Sequence, residues 1–226
     1  VFFPSVAQMR SRQWVDKSSY TYGLHGTPTT FMLEQRLATL EGATHVTLVP
    51  SGLAAVTLPA MALLKLGDHM LLPSNAYGPN LAFAKHELAA WGVMHGVYDP
   101  MQPSDLRDKL QSNTRLVWLE APGSITLEFP DLRSLVRTIR ESAPQAVIAI
   151  DNTWGAGIAF CPFDLGERLS VDVSAHALTK YPSGGGDVLM GSVSCRDVRL
   201  HEKLALAHSR IGFNVGLNDV EAILRA

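Results

Sequence analysis

The sequence predicts an α/β fold, a mostly parallel mixed sheet with helices on both faces. Three observations lead there. Runs of five to eight residues, such as "HMLLP" and "AVIAID", are apolar almost throughout, as strands covered on both faces are. These runs alternate with stretches of helical periodicity, the order that gives parallel strands with crossover helices. The 226-residue chain has 46% hydrophobic and 18% charged residues, the balance of a protein with a buried core.

After an irregular, proline-bearing start and the turn-rich "YGLHGTPTT", residues 30–42 read as a helix, with Phe31, Leu33, Leu37 and Leu40 at near-helical spacing. "HVTLVP" is strand-like, and Ser51 is a good N-cap for the apolar helix "GLAAVTLPAMALLKL", which Gly67 and Asp68 end. "HMLLP" is a strand, "NLAFAKHELAAWG" an amphipathic helix and "VMHGVYD" a strand. A helix in "PSDLRDKLQS", a strand in "TRLVWLEAP", a helix in "DLRSLVRTIRES" and a strand in "AVIAID" continue the alternation. "VDVSAHAL" and "VLMGSVSC" are two further strands. The expected organisation is an N-terminal arm and first helix over residues 1–44, one α/β unit over 45–195 and a long helix over 196–226. The chain begins at Val1 and ends in "NDVEAILRA" without a capping glycine or proline, so a small C-terminal domain is expected beyond it.

Composition excludes several classes of function. A net charge of −2 with no basic block argues against nucleic acid. Cys161 and Cys195 form no metal-ligand spacing and fit a reducing cytoplasm, so neither a metal nor a disulfide framework is expected. No apolar run approaches the roughly 20 residues of a membrane span, and no signal peptide is visible.

In such sheets, ligands gather at the carboxyl ends of the strands. Ser51-Gly52, Tyr77, Glu120, Asp151 and Lys180 each fall just past a strand end. Each has an ordinary alternative. Asp151 could cap the "NTWGAG" turn, and Lys180 could snorkel to a sheet edge. Ser51-Gly52 could be a plain helix start and Tyr77 a turn aromatic. Trp154 could be core or pocket wall, and Glu120 could orient a neighbouring backbone. As a set they have one economical explanation. Lys180 follows an apolar stretch, and burial lowers a lysine's pKa toward the nucleophilic amine. A carboxylate ending "AVIAI" is expected to be at least partly buried and so needs a partner, because desolvation would otherwise neutralise it. The N–H groups opening a helix at Gly52 form an anion cradle. A nucleophilic lysine, an acid for a pyridine nitrogen, a stacking ring and a phosphate cradle are the parts of a pyridoxal phosphate site. A nucleotide P-loop is excluded, because the glycines of "SGGGD" follow Lys180 and no G-x-x-x-x-G-K-[ST] is present.

"YGLHGTPTTFMLEQRLATLEG", "PSGLAAV", "GDHMLLPSNAYGPN", "EAPGSIT", "AIDNTWGAG" and "ALTKYPSGGGDVLMG" occur in that order. On these six motifs, residues 18–226 resemble the Cys/Met-metabolism family of pyridoxal-phosphate enzymes, fold type I, and "EAPGSIT" and "DNTW" most resemble its cystathionine β-lyase branch. Branches acting at the γ-carbon usually carry Thr-Asn-Pro where this chain has Gly123-Ser124-Ile125. The resemblance implies that Lys180 binds the cofactor covalently and acts in catalysis with Tyr77. It further implies that Asp151 pairs with the pyridine nitrogen and Tyr77 stacks on the ring. By the same resemblance, the Gly52 and Leu53 N–H groups would hold the phosphate, helped by the Thr179 hydroxyl. Tyr22 matches a tyrosine that reaches a neighbouring subunit's phosphate, which implies a homodimer or homotetramer with shared sites.

Two residues depart from the family pattern. Leu24, followed by His25, stands where an arginine is usual, and Ala177 stands where many relatives have serine. The family's substrate-carboxylate arginine belongs to the C-terminal domain. The implied reaction is β-elimination of cystathionine, or a related sulfur amino acid, to homocysteine, pyruvate and ammonia. A γ-lyase or γ-synthase of the same family, or a catalytically impaired scaffold, is the alternative.

Overall fold

A computed structural model describes residues 3–11, 17 and 22–226. The expected arm over residues 1–44 lies partly outside these residues, as do residues 18–21 at the start of the family resemblance. A short helix, α1 (Val6–Ser11), precedes α2 (Pro28–Glu41). The first strand, β1 (His45–Val49), leads into α3 (Gly52–Leu63), β2 (His69–Pro73), α4 (Gly78–Phe83) and β3 (Met94–Tyr98). Next come α5 (Pro103–Lys109), β4 (Thr114–Glu120), α6 (Leu132–Ser142) and β5 (Val147–Asp151). Two strands, β6 (Val173–His176) and β7 (Gly191–Cys195), precede α7 (Val198–Ile211) and α8 (Leu217–Arg225).

The seven strands form one mixed sheet in the order β1-β7-β6-β5-β4-β2-β3. Pairing is parallel from β3 through β2, β4 and β5 to β6, and β7 runs antiparallel to both β6 and β1. The alternation of side chains explains the apolar runs. Leu116 and Trp118 of β4 and Ala149 of β5 enter one core with α3 and α7. Val117, Leu119, Ile148 and Ile150 enter a second core with α5 and α6. A third core joins Leu33 and Leu37 of α2 to Val46 and Leu48 of β1 and to Val220 and Ile223 of α8.

Several element ends differ from the sequence expectation. The helix expected through Leu66 ends at Leu63, where Leu64 turns extended. The helix opened by α4 continues as a π turn over Ala84–Leu88. The single long helix expected over 196–226 is two. Gly212, at φ 78°, takes the left-handed conformation that glycine adopts without steric cost, and its N–H bonds the His208 carbonyl at 3.0 Å to close α7. The chain restarts as α8 after Gly216. Among the described residues no helix is long and apolar enough to cross a membrane.

Candidate active site

The carboxyl ends of β1, β2, β4, β5 and β6 open on one side of the sheet, and a cleft of about 880 Å³ lies there. It is lined by Gly52, Leu53, Tyr77, Asp151, Thr179 and Lys180, together with Glu120 and Trp154. Six of the seven expected site residues, spread over 129 positions of sequence from Gly52 to Lys180, thus share one wall system. Tyr22 does not. It is 67% exposed and lines a separate cavity of about 380 Å³ with His201 and His208.

Each placement has a local cause. Ser51 caps α3 through its hydroxyl, which accepts the Ala54 N–H at 3.0 Å, while its carbonyl accepts the Ala55 N–H at 3.1 Å. That leaves the Gly52 and Leu53 N–H groups without an acceptor among the described residues, both pointing from a helix N-terminus as an anion would need. A Cβ at Gly52 would come within 2.5 Å of Ala177 Cβ, so glycine and alanine together let α3 approach the segment carrying Lys180. That contact explains the glycine at 52; nothing in the structure explains alanine rather than serine at 177.

Asp151 ends β5 and is buried. Its Oδ1 accepts the Thr153 N–H at 3.0 Å, so it caps the following turn and lines the cleft at once. Burial raises its pKa, and no lysine or arginine among the described residues pairs with it. Glu120, directly opposite on β4, is raised to about 7, first by burial and then by the Asp151 charge. Thr153, absent from the sequence reading, accepts the Ala177 N–H on its hydroxyl at 2.9 Å and so ties the Asp151 turn to the lysine segment. Its position two residues after a strand-ending aspartate was the available signal.

The expectation that Lys180 is buried is corrected: the residue is exposed at the cleft mouth. Strand β6 ends at His176, and by Lys180 the chain has left the core to open the tight turn Tyr181–Ser183. Lys180 is the only cationic side chain lining the cleft among the described residues. The Thr179 hydroxyl donates to the Met190 carbonyl at 3.3 Å and accepts the Met190 N–H at 3.2 Å, so it must turn from Met190 to donate to a phosphate. Tyr77 sits at the start of α4, its N–H held by Glu120. Trp154 and Tyr181 meet at 6.3 Å between ring centroids on the outer rim.

These groups fit pyridoxal phosphate. Among the described residues, two free amides at the start of α3 suit a phosphate, a buried carboxylate with no lysine or arginine partner suits a protonated pyridine nitrogen, and a single amine faces the same space. The profile of the Cys/Met metabolism PLP-dependent enzymes matches residues 2–226. A putative cystathionine beta-lyase of Rhizobium johnstonii is 40% identical over 225 residues, covering 100% of this chain and 54% of that protein. Cystathionine beta-lyase MetC of Escherichia coli is 41% identical over 183 residues, covering 81% of this chain and 45% of that one. Cystathionine gamma synthase from Xanthomonas oryzae pv. oryzae, solved in complex with cystathionine, superposes with a TM-score of 0.88 at 28% identity, over 100% of this chain and 55% of that chain. The chain spans about half the length of these relatives.

Proposed function

Because the chain belongs to the Cys/Met metabolism family of pyridoxal-phosphate-dependent enzymes, we propose that the protein it forms part of is a carbon–sulfur lyase that removes the β-thiolate of cystathionine or a related cysteine thioether. The observation that carries this reading is the convergence of Asp151, Lys180 and the free Gly52 and Leu53 amides on one cleft. Bound there, pyridoxal phosphate supplies an electron sink that stabilises negative charge at the substrate's α-carbon.

The chain's own groups divide the remaining work. Lys180 Nζ holds the cofactor aldehyde and, as a free amine, takes the α-proton of the substrate. Asp151 keeps a proton on the ring nitrogen, and its buried position strengthens that charge pairing. The Gly52 and Leu53 N–H groups hold the phosphate, with Thr179 as an additional donor. Tyr77 orients the ring, and its hydroxyl or Lys180 returns a proton to the departing sulfur. Tyr22, exposed and remote from its own cleft, is assigned to the cleft of a second copy in a homodimer or homotetramer. The cytoplasm is the compartment proposed, because a chain with two free cysteines fits a reducing one.

The relatives include enzymes whose names specify β- or γ-chemistry. Gly123-Ser124-Ile125, where γ-acting branches carry Thr-Asn-Pro, favours β-elimination for this chain. Incubating the full-length protein with cystathionine tests the choice. Pyruvate and homocysteine are expected; 2-oxobutyrate and cysteine would replace this reading by γ-elimination.

A further inference from the structure

The geometry points to Glu120 as a positioning residue: its buried carboxylate fixes Tyr77 and Ser124 against each other on the cleft wall that faces Asp151. Glu120 is 2% exposed at the end of β4. Its Oε2 accepts the Tyr77 N–H at 2.8 Å, and its Oε1 accepts the Ser124 hydroxyl. One side chain therefore joins the segment after β2 to the segment after β4. The same two segments meet again where Asn75 Nδ2 donates to Glu128 Oε2 at 3.1 Å. They also meet where Gly123 packs so closely on Asn75 that a Cβ there would overlap its side chain. Tyr77 itself is exposed on the cleft and opens α4 with no side-chain cap. Its amide bond to Glu120 is thus the tether closest to the ring.

The bonding pattern separates Glu120's shape from its charge. Across the strand, Asp151 stands in register with Glu120, and burial with that neighbouring charge brings the Glu120 carboxyl to about 7. Burial and the Asp151 charge both favour the protonated carboxyl, whose shape and donor–acceptor pair a glutamine copies. Its carbonyl accepts the Tyr77 N–H, and its amide donates to a Ser124 hydroxyl that now accepts. A methionine fills a similar volume and can do neither.

The inference rests on the cofactor reading of the cleft, and two readouts keep them apart. Hydrogen exchange of the full-length protein without cofactor reads the tether alone. In Glu120→Met the amides of the 75–78 segment exchange about tenfold faster, the equivalent of one lost hydrogen bond, whereas Glu120→Gln stays within about twofold of wild type. Visible circular dichroism of the protein loaded with pyridoxal phosphate reads ring placement. Glu120→Met loses at least half the signal, Glu120→Gln keeps it, and Glu120→Met combined with Tyr77→Ala is no weaker than Tyr77→Ala alone. Unchanged exchange or unchanged dichroism in Glu120→Met overturns the proposal. So does additive loss in the double variant, or a Glu120→Gln variant as damaged as Glu120→Met. If Glu120→Met does not fold, Glu120→Thr, too short to reach both partners, is read in the same way. A wild-type protein that yields no borohydride-fixed adduct sinks the cofactor reading, while the exchange result still decides whether Glu120 holds Tyr77.

Discussion

His176 Nδ1 lies 2.9 Å from Glu41 Oε1, and both side chains are completely buried. The contact spans 135 residues of sequence and joins the last residue of α2 to the last residue of β6, four residues before Lys180. Ser174, Ser192 and His176 share this face of the sheet, where the neighbouring strand β5 presents Ile148 and Ile150. The pair links α2 to the end of the strand from which the lysine segment departs.

Removing one member leaves the other buried without its partner, the costly way to break such a pair. Glu41→Ala and His176→Ala are each expected to lower stability by about 3–5 kcal/mol if the pair is ionised and about 1–3 kcal/mol if it is neutral. Urea unfolding of each variant measures this, and the double variant should cost less than the sum of the two. Single variants indistinguishable from wild type would show that the contact contributes nothing to folding.

Lys180 is exposed and forms no salt bridge among the described residues, so replacing it should leave the fold intact. Lys180→Ala is expected to match the wild-type far-ultraviolet dichroism and melting temperature within about 1 °C, since surface changes are small. Borohydride treatment with cofactor should label the wild type at Lys180 and leave this variant unlabelled. Carbon–sulfur cleavage should fall by about 10²–10⁴-fold, the scale of a lost general base. Label recovered on another lysine would reassign the nucleophile.

Gly123 and Asn75 form a pair in which the small residue is dictated by the larger one. A Cβ at Gly123 would collide with the Asn75 side chain, which is itself held by Glu128. Gly123→Ala should cost about 1–3 kcal/mol, as overpacking does, and Asn75→Ala in the same chain should recover most of it. Thermal melts of the two single variants and the double variant give the coupling, expected at about 0.5–3 kcal/mol for residues in contact. Strictly additive effects would mean that the two side chains do not compete for the same space.

Much of this arrangement was legible in the sequence, and the rest was hidden for identifiable reasons. The strands of β4 and β5 were readable because two-sided burial removes the polar alternation, and the positions after them followed from the carboxyl-end rule. Asp151 was readable as a charge ending an apolar run. Exposure of Lys180 was not, because an apolar stretch before a residue says nothing about where the chain turns out of the sheet. The roles of Thr153 and Ser124 depend on hydrogen bonds between segments 24 and 4 residues apart in sequence, and hydroxyl residues carry no pattern that reveals such partners. The break at Gly212 was visible as a glycine but not its left-handed φ of 78°. Tyr22 was named only through resemblance, and it lines a separate cavity rather than the cleft.

His201 gives the protein a pH-dependent stability with a definite sign. Its ring stacks on His45 at 4.7 Å between centroids, and burial, then His45, Lys17 and His208, bring its pKa from 6.5 down to about 4. The folded state therefore binds fewer protons than the unfolded chain between those values. Stability from His201 is fully present above about pH 6.5, is lost as pH falls toward 4, and changes no further below that. The full shift corresponds to about 3 kcal/mol. His45 and His208, also lowered, add slope of the same sign, while partly buried Glu34, raised, adds the opposite sign. Comparing wild type with His201→Phe isolates the single residue, because phenylalanine keeps the stack and cannot take a proton. Urea unfolding at pH 7.5 and at pH 4.5 should show wild type losing about 2–3 kcal/mol more than the variant on acidification. Equal losses in the two proteins would mean that His201 is protonated in the folded state as readily as in the unfolded chain.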